Sequence, residues 1–475
     1  MKYLIVGTGL SAWATYVSLQ GNIETHDSIT IIDPGKRFKE INTFASKSGK
    51  KTKFGSSHMF DIDDTSIKNT AEINLSYGHA GLSEVWGAGI RLWEKDDLES
   101  TGLSLEEFCT ASESLLKVMP HTGELVAMNI PGPIQVMDNS HPLGSGDFDL
   151  LMDSSIQNSM RVERTALAIE TKGINGCRGC GLCLSGCPYN SIFETGTIFD
   201  SLAMNGFVQM VMGKVQALSK FGAGVGVSYL DNFGETQNVV FDKVFLSAGA
   251  IGTPAILMRS GLISEPLELF DSQVFYFLGL KKPSKKNHKV FALSQITLSS
   301  KMSSNEEFSA SLYQCNAEVR MRISNLIADK FFGLKLPLPS FLDRVLFLGI
   351  GFLDSSKSGK VRMEFSSEDA LRITPAENKS SKLVVRKVLK IISKSIRKSG
   401  FLLFPGIFVT PVPGAGYHCG GALPLGGKYV DEQGRLRDFE VVSVADVSIL
   451  PFIKPGPHTF TAMCLNFGLI QRLAK

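Results

Sequence analysis

The sequence predicts an α/β fold: a parallel nucleotide-binding sheet, an antiparallel α+β region beside it, and a cysteine-rich insert. Three observations carry this. The apolar run Tyr3-Leu-Ile-Val is followed at once by Gly7-Thr-Gly9-Leu-Ser-Ala12 and a helical pattern from about Ser11 to Leu19. A second strand, glycine turn and helix pattern lies at Phe241-Asp-Lys-Val-Phe-Leu-Ser-Ala248-Gly249-Ala250-Ile-Gly252-Thr253-Pro254. Between them stands Cys177-Arg-Gly-Cys180-Gly-Leu-Cys183-Leu-Ser-Gly-Cys187-Pro188.

The first pattern is a Rossmann-like unit, with Ala12 in the place of the third glycine. Its turn brings backbone N–H groups and a helix N-terminus onto a pyrophosphate. The next strand, Ser28-Ile-Thr-Ile-Ile-Asp33, ends in an acid placed for a pair of ribose hydroxyls. This fingerprint does not separate FAD from NAD.

The cysteine run has the Cys-x2-Cys-x2-Cys-x3-Cys-Pro spacing that turns thiolates onto one iron–sulfur cluster. Gly176, Gly179, Gly181 and Gly186 let the backbone curl, and Pro188 stops the turn. Zinc sites usually put a longer spacer between two cysteine pairs, and neither zinc nor disulfides account for the proline. In two-cluster ferredoxins the fourth cysteine serves the other cluster, but this chain has one run. Either Cys187 bends back, or Cys109, Cys315, Cys419 or Cys464 completes the set, or the cluster is 3Fe–4S rather than 4Fe–4S. A ferredoxin-like insert is expected at 166–195.

At 475 residues the chain holds two or three subdomains. With 43% hydrophobic and 20% charged residues it reads as globular. A net charge of +3, without an arginine-rich or aromatic-interleaved tract, argues against nucleic acid as a partner. Eight cysteines, half of them in the cluster run, argue against a disulfide framework and for a reducing compartment. Gly7 and Gly9 interrupt the first apolar run, so it does not read as a signal peptide. No stretch of 18 uncharged apolar residues suggests a membrane span. A cytoplasmic location is expected.

At the C-terminal end, Val442-Ser-Val-Ala-Asp446-Val-Ser448 precedes Pro455-Gly456-Pro457-His458-Thr459 and a final helix to Leu473. With the N-terminal fingerprint and the Ala-Gly-Ala-x-x-Thr-Pro segment, these blocks resemble the glucose–methanol–choline (GMC) flavin oxidoreductases. The resemblance leaves the middle of the chain largely unmatched. It implies FAD, and a division into FAD-binding parts at 1–100, 196–264 and 411–475. A substrate-side cap at 101–165 and a substrate domain at 265–410 complete the expected layout.

The block Gly78-His79-Ala-Gly81-Leu-Ser83-Glu-Val85-Trp86-Gly87 looks like the family's second flavin loop, in the form found in pyranose oxidases and sugar dehydrogenases. Some such members attach FAD through a histidine directly before the tryptophan. Val85 stands there, which implies dissociable FAD; His79 reads as an exposed loop histidine. The resemblance also implies that Asp446 meets ribityl or pyrophosphate oxygens through its helix start, and that Val215 touches the adenine through its backbone. Ala248, Gly249 and Thr459 fall in the remaining cofactor-binding segments.

The chemistry centres on His418, in Tyr417-His418-Cys-Gly-Gly421, and His458, 40 residues on. They line up with the family's catalytic pair. Oxidation of an alcohol needs a base for the hydroxyl proton as hydride leaves the carbon, and a neutral imidazole suits that role. His418 is the expected base. His458 would orient the hydroxyl and stabilise developing alkoxide charge. An inserted cluster resembles that of sugar dehydrogenases passing electrons onward, so a dehydrogenase acting on a sugar or sugar conjugate is expected. Its partner would be a one-electron carrier: a ferredoxin, a cytochrome or a quinone system. Two rivals are a ferredoxin-fed flavin reductase of a carbonyl or double bond, and a non-catalytic electron-transfer or scaffold protein.

In the middle, Lys289-Val-Phe-Ala-Leu and Gly359-Lys-Val-Arg-Met-Glu read as strands. Lys382 to Lys398 reads as an amphipathic helix with apolar Val385, Val388, Leu389, Ile392 and Ile396 and seven bases opposite. Such a helix ordinarily docks on a core with a solvated basic face. The sharper alternative joins it to the apolar segment Phe331–Leu342 as a peripheral contact with the inner face of a membrane. Loops are expected around 47–53, 139–147 and 300–307 from their Ser, Gly and Lys content.

Overall fold

Three apolar runs legible in the sequence form the middle of one sheet. The computed structural model describes residues 1–35, 67–122, 148–152, 160–183, 187–283, 292–303, 306–330, 338–366 and 370–473. In it Lys2–Val6 lies between Ser28–Asp33 and Lys243–Leu246, parallel to both. Phe439–Val444 continues the parallel set, and the short Arg435–Leu436 closes that edge. Leu4, Ile5, Ile31, Val244, Leu246 and Val442 are buried. Cover on both faces explains why these strands are continuous apolar runs rather than alternating ones.

On the other side, Gln209–Phe221 starts parallel to Ser28–Asp33 and then joins an antiparallel meander with Gly224–Asp231 and Thr236–Phe241. A bulge between Val215 and Ala217 lies in the antiparallel part of that strand. The helices Leu10–Gln20 and Thr459–Leu473 pack together against the sheet. Ser18 Oγ donates to Phe467 O (2.9 Å) and Gln471 Nε2 to Ser18 O (2.8 Å).

A second, six-stranded sheet is antiparallel throughout. Its order is Leu402–Val409, Val274–Leu280, Leu346–Leu353, Glu306–Gln314, Ile296–Ser303 and Arg161–Arg164. The pleat divides its side chains between two faces. Phe275, Phe277, Leu298, Phe308 and Phe347 form a separate core with Val385, Val388, Ile392 and Ile396 of the helix Ser381–Ile396. Tyr276, Tyr313, Ile350 and Phe352 belong instead with the main core. That places the aromatic half of the second face toward the nucleotide-binding sheet.

Gly349 shows how tightly the first face is packed. A Cβ there would lie 2.0 Å from the Phe277 ring. Gly349→Ala is expected to destabilise the fold by about 1–3 kcal/mol, the usual cost of overpacking a filled core. Chemical denaturation checks this; an unchanged midpoint would refute it.

Several expectations change. Ser300–Glu307 is not a loop: its described residues end two paired strands, with Ser300 opposite Phe308 and Lys301 opposite Glu307. The polar residues sit at the tip of a hairpin whose buried positions, Leu298 and Phe308, lie further in. Residues 166–195 carry isolated bridges such as Gly89↔Leu167 and Ile169↔Ile192, with no α-helix or longer strand among those described. The glycines and the proline favour this irregular path of the described residues. The apolar face of Ser381–Ile396 docks on the sheet, the plainer of its two readings.

Gly359–Glu364 falls on the strand Lys360–Phe365. Of Lys289–Leu293 only Ala292 and Leu293 are described, and neither is in a strand. The expected loops at 47–53 and 139–147, and residues 331–337, lie outside the described residues. Among the described residues no helix is long and apolar enough to cross a membrane. A third sheet pairs Cys419–Gly420 with Leu267–Asp271, followed by Lys360–Phe365, Leu371–Ala376 and Ile67–Asn69. It fixes the strand that carries His418.

Candidate nucleotide and two-histidine site

The two glycine turns of the sequence meet. Gly7 has φ +106°, and a Cβ on it would sit 2.7 Å from Ser247 O, so only glycine permits the approach. Thr8 Oγ1 donates to Asp33 Oδ2 (2.8 Å) and accepts from Ala80 N–H (2.9 Å). Gly35 N–H donates to Asp33 Oδ1 (2.7 Å). Asp33 is thus held at the turn. The helix Leu10–Gln20 starts after Gly9 with no side-chain cap and no acid in its first turn. Its first N–H groups are left for an anion. Ala12 is buried within that helix.

The second loop lies against this turn. Ser83 Oγ donates to Ala80 O (2.8 Å) and is 3.1 Å from Thr195 Oγ1. Trp86 Nε1 donates to Phe193 O (2.8 Å), and Gly81 begins the short turn that carries Ser83. Val215 is buried in the meander strand opposite Tyr229. At the other glycine turn, Ala248 N–H donates to Thr253 Oγ1 (3.1 Å). Asp446 is fully buried, with its carboxylate accepting from Gly249 N–H (2.8 Å), Thr253 Oγ1 (2.5 Å) and Ser448 N–H (2.8 Å). Its side chain braces two turns, leaving only the backbone there for a cofactor.

His79 is not an exposed loop histidine; it is 4% exposed. Its Nε2 lies 3.2 Å from Asp200 and 3.1 Å from Gly196 O, and its Nδ1 lies 3.9 Å from Asp33. Burial alone lowers its pKa, but the two carboxylates and the carbonyl outweigh it and raise it above the usual value. The imidazolium's stabilising contribution is therefore complete below the ordinary histidine pKa and fades as pH rises through the raised one. Nothing in the sequence but its place inside the Gly78–Gly87 block signals this partner of Asp33.

The two histidines come together. The rings of His418 and His458 are 5.0 Å apart and nearly perpendicular, at 88°. His418 stacks on Phe352 at 4.1 Å and 24°. Its carbonyl accepts from Ser272 N–H (2.9 Å), while His458, just before the helix Thr459–Leu473, accepts from Ala462 N–H (3.0 Å). Nδ1 of each ring is buried without a hydrogen-bond partner among the described residues. Burial pushes His458 down to about 4 and His418 well below its usual value, with His458 adding to the second shift. Both imidazoles are neutral at pH 7.

One group the sequence reading missed stands beside them. Asp271 is 1% exposed, accepts from Gly414 N–H (3.0 Å) and from the Cys419 thiol (3.4 Å), and is pushed up to about 7 by burial. No motif marks it; the pairing of Asp271 with Cys419 across two strands brings it there.

The uncapped helix N-terminus, Asp33, and the unpartnered ring nitrogens fit an anionic diphosphate joined to a heteroaromatic ring, which is what FAD offers. The cysteines are a different case. Cys183 is pushed up to about 12, first by burial, with Cys177, Cys180 and Cys187 adding to it, so the four thiols share one neighbourhood. Yet among the described residues no group of three or more His, Cys, Asp or Glu side chains is placed to hold a metal ion. Of the distant cysteines, Cys315 donates to Asp343 (3.3 Å) and Cys419 to Asp271.

The fold thus brings a parallel dinucleotide-type sheet, paired glycine turns and a histidine pair next to an antiparallel sheet. Residues 81–269 match the model of the GMC oxidoreductase family. Two uncharacterized GMC-type oxidoreductases of Mycobacterium tuberculosis, from strains CDC 1551 / Oshkosh and H37Rv, are each 31% identical over 121 residues. That match covers 22% of this chain and 19% of each relative, so it spans about a fifth of their length. The fold is similar to pyridoxine 4-oxidase from Mesorbium loti, with a TM-score of 0.66, 15% identity, and 99% and 98% of the two chains covered.

Proposed function

We propose that this protein is a FAD-dependent oxidoreductase that oxidises a CH–OH group, with His418 as the base and His458 as its partner. The observation that carries the reading is the perpendicular, neutral histidine pair facing Phe352. A neutral imidazole has one lone pair free to take the hydroxyl proton. The neighbouring ring orients the hydroxyl, and Phe352 holds His418 in place by stacking. Low solvent exposure of the pair keeps both rings uncharged before substrate arrives. Bound FAD supplies the two-electron acceptor for the hydride leaving the same carbon. Asp33, Thr8 and the helix start at Leu10 hold its nucleotide end, and Val85 before Trp86 supports dissociable rather than covalent binding.

A sugar or sugar conjugate is the favoured substrate, and a dehydrogenase the favoured type. The spacing of Cys177, Cys180, Cys183 and Cys187 supports an iron–sulfur cluster, and hence a one-electron partner. Their placement does not add to that support, and no step above depends on it. A second reading, an oxidase, is favoured by the similarity in fold to a protein named as one.

Anaerobic mixing of purified protein with a panel of alcohols and sugars tests the core of the reading. Loss of yellow flavin colour is expected with at least one. Protein that releases no flavin on denaturation, or flavin that no alcohol bleaches, would overturn it. Iron and acid-labile sulfide analysis decides the cluster, and comparing oxygen with a dye acceptor decides oxidase against dehydrogenase.

A further inference from the structure

A cavity of about 550 Å³ opens along the polar half of the six-stranded sheet, lined in part by Arg91, Arg161, Ser299, Lys301 and Glu307. Arg91 is 8% exposed, and its Nη1 has no hydrogen-bond partner among the described residues. The same holds for Oγ of Ser309, while Oε2 of Glu163 is ion-paired with Arg161 Nε (2.9 Å) and Oε2 of Glu307 with Lys454 Nζ (3.5 Å). Glu163 and Glu307 both feel the charge of Arg91. Arg91 and Glu307 line this space, and Glu163 and Ser309 lie two residues along their strands from the lining residues Arg161 and Glu307.

This cluster adjoins the histidine pair. A Cβ on Gly456, two residues before His458, would lie 3.0 Å from Ser309 Oγ and 3.7 Å from Arg91 Nη1. Ser309 is also paired across the sheet with Phe352, on which His418 stacks.

We infer that this cavity seats the hydroxyl-bearing part of the substrate, a vicinal diol or polyol, between Arg91, Glu163, Glu307 and Ser309. The mixed charge excludes the simpler ligands. An anion would face Glu163 and Glu307; a cation would face Arg91, Arg161 and Lys301. An apolar group would leave Arg91 Nη1 and Ser309 Oγ unpaired. Hydroxyl groups donate to the carboxylates and accept from the guanidinium with the same atoms. The space exceeds one hexose ring, so a sugar within a larger conjugate fits.

The inference rests on the proposed alcohol oxidation, and its test is independent of turnover. Binding of methyl β-D-glucopyranoside and myo-inositol to the holoenzyme is measured by saturation-transfer NMR and calorimetry, with cyclohexanol and inorganic phosphate as comparators. Both polyols should bind at least tenfold more tightly than either comparator. Glu307→Gln and Ser309→Ala should each weaken polyol binding about tenfold; the smaller Ser309→Ala change keeps the test open if Glu307→Gln, which also loses the ion pair with Lys454, misfolds. Equal affinity for cyclohexanol or phosphate, or wild-type affinity in the folded variants, would overturn it. Polyol binding without any flavin bleaching would instead sink the proposed reaction and leave the cavity assignment standing.

Discussion

His418→Ala is expected to lower kcat by about 10²–10⁴-fold, the usual contribution of a positioned general base. Flavin content and polyol affinity should stay at wild-type levels, because His418 makes no side-chain hydrogen bond from Nδ1 to the described residues. The pH profile is the sharper readout. Burial holds both imidazoles below their ordinary range, His458 at about 4. The acid limb of kcat/KM should therefore fall well below the pH at which a solvent-exposed histidine protonates. As pH drops, protonation removes the lone pair and the rate together. A limb at the ordinary histidine value, or a variant as active as wild type, would assign the proton to another group.

Asp271→Asn is expected to stabilise the protein relative to wild type at pH 8, and to do so less at pH 5. The Asp271 carboxyl rises from 3.8 to about 7 on burial. A raised acid favours folding fully below 3.8 and loses that contribution as pH climbs to about 7. Each pKa unit corresponds to about 1.4 kcal/mol, so the full loss is on the order of 4 kcal/mol. Asparagine keeps an acceptor for Gly414 N–H without the ionisation. His458 has the opposite sign: neutral and buried, it favours folding above 6.5 and loses that as pH falls toward about 4. The two trends oppose each other between pH 4 and 6.5, so the wild-type curve alone hides Asp271. The informative quantity is the difference in melting temperature between variant and wild type. A difference that does not change from pH 5 to 8 would show that Asp271 does not titrate in the fold.

What the sequence disclosed follows from how local each signal is. Gly7-Thr-Gly9 after Tyr3–Val6, and Asp33 at the end of the next strand, are short-range patterns with one structural solution. The histidines flanked by glycine and proline turns were visible for the same reason. His79 was missed because its burial depends on Asp200 and Gly196, more than a hundred residues away. Ser300–Glu307 was misjudged because composition records polarity, whereas a hairpin tip is polar yet paired. In the insert, cysteine spacing carries ligand chemistry without specifying the path of the backbone around it.

By itself, then, the sequence determined the N-terminal glycine turn, the turns that carry each of the two histidines, and the thiol run, since each is a contiguous stretch whose backbone needs are encoded on the spot. Tertiary structure alone decided which polar atoms share a cavity. Arg91, Glu163, Glu307 and Ser309 come from a loop and two strands of a sheet whose order follows from packing two faces with side chains of period two. No window of sequence contains that pairing, because it is set by long-range strand register and by what each face must bury.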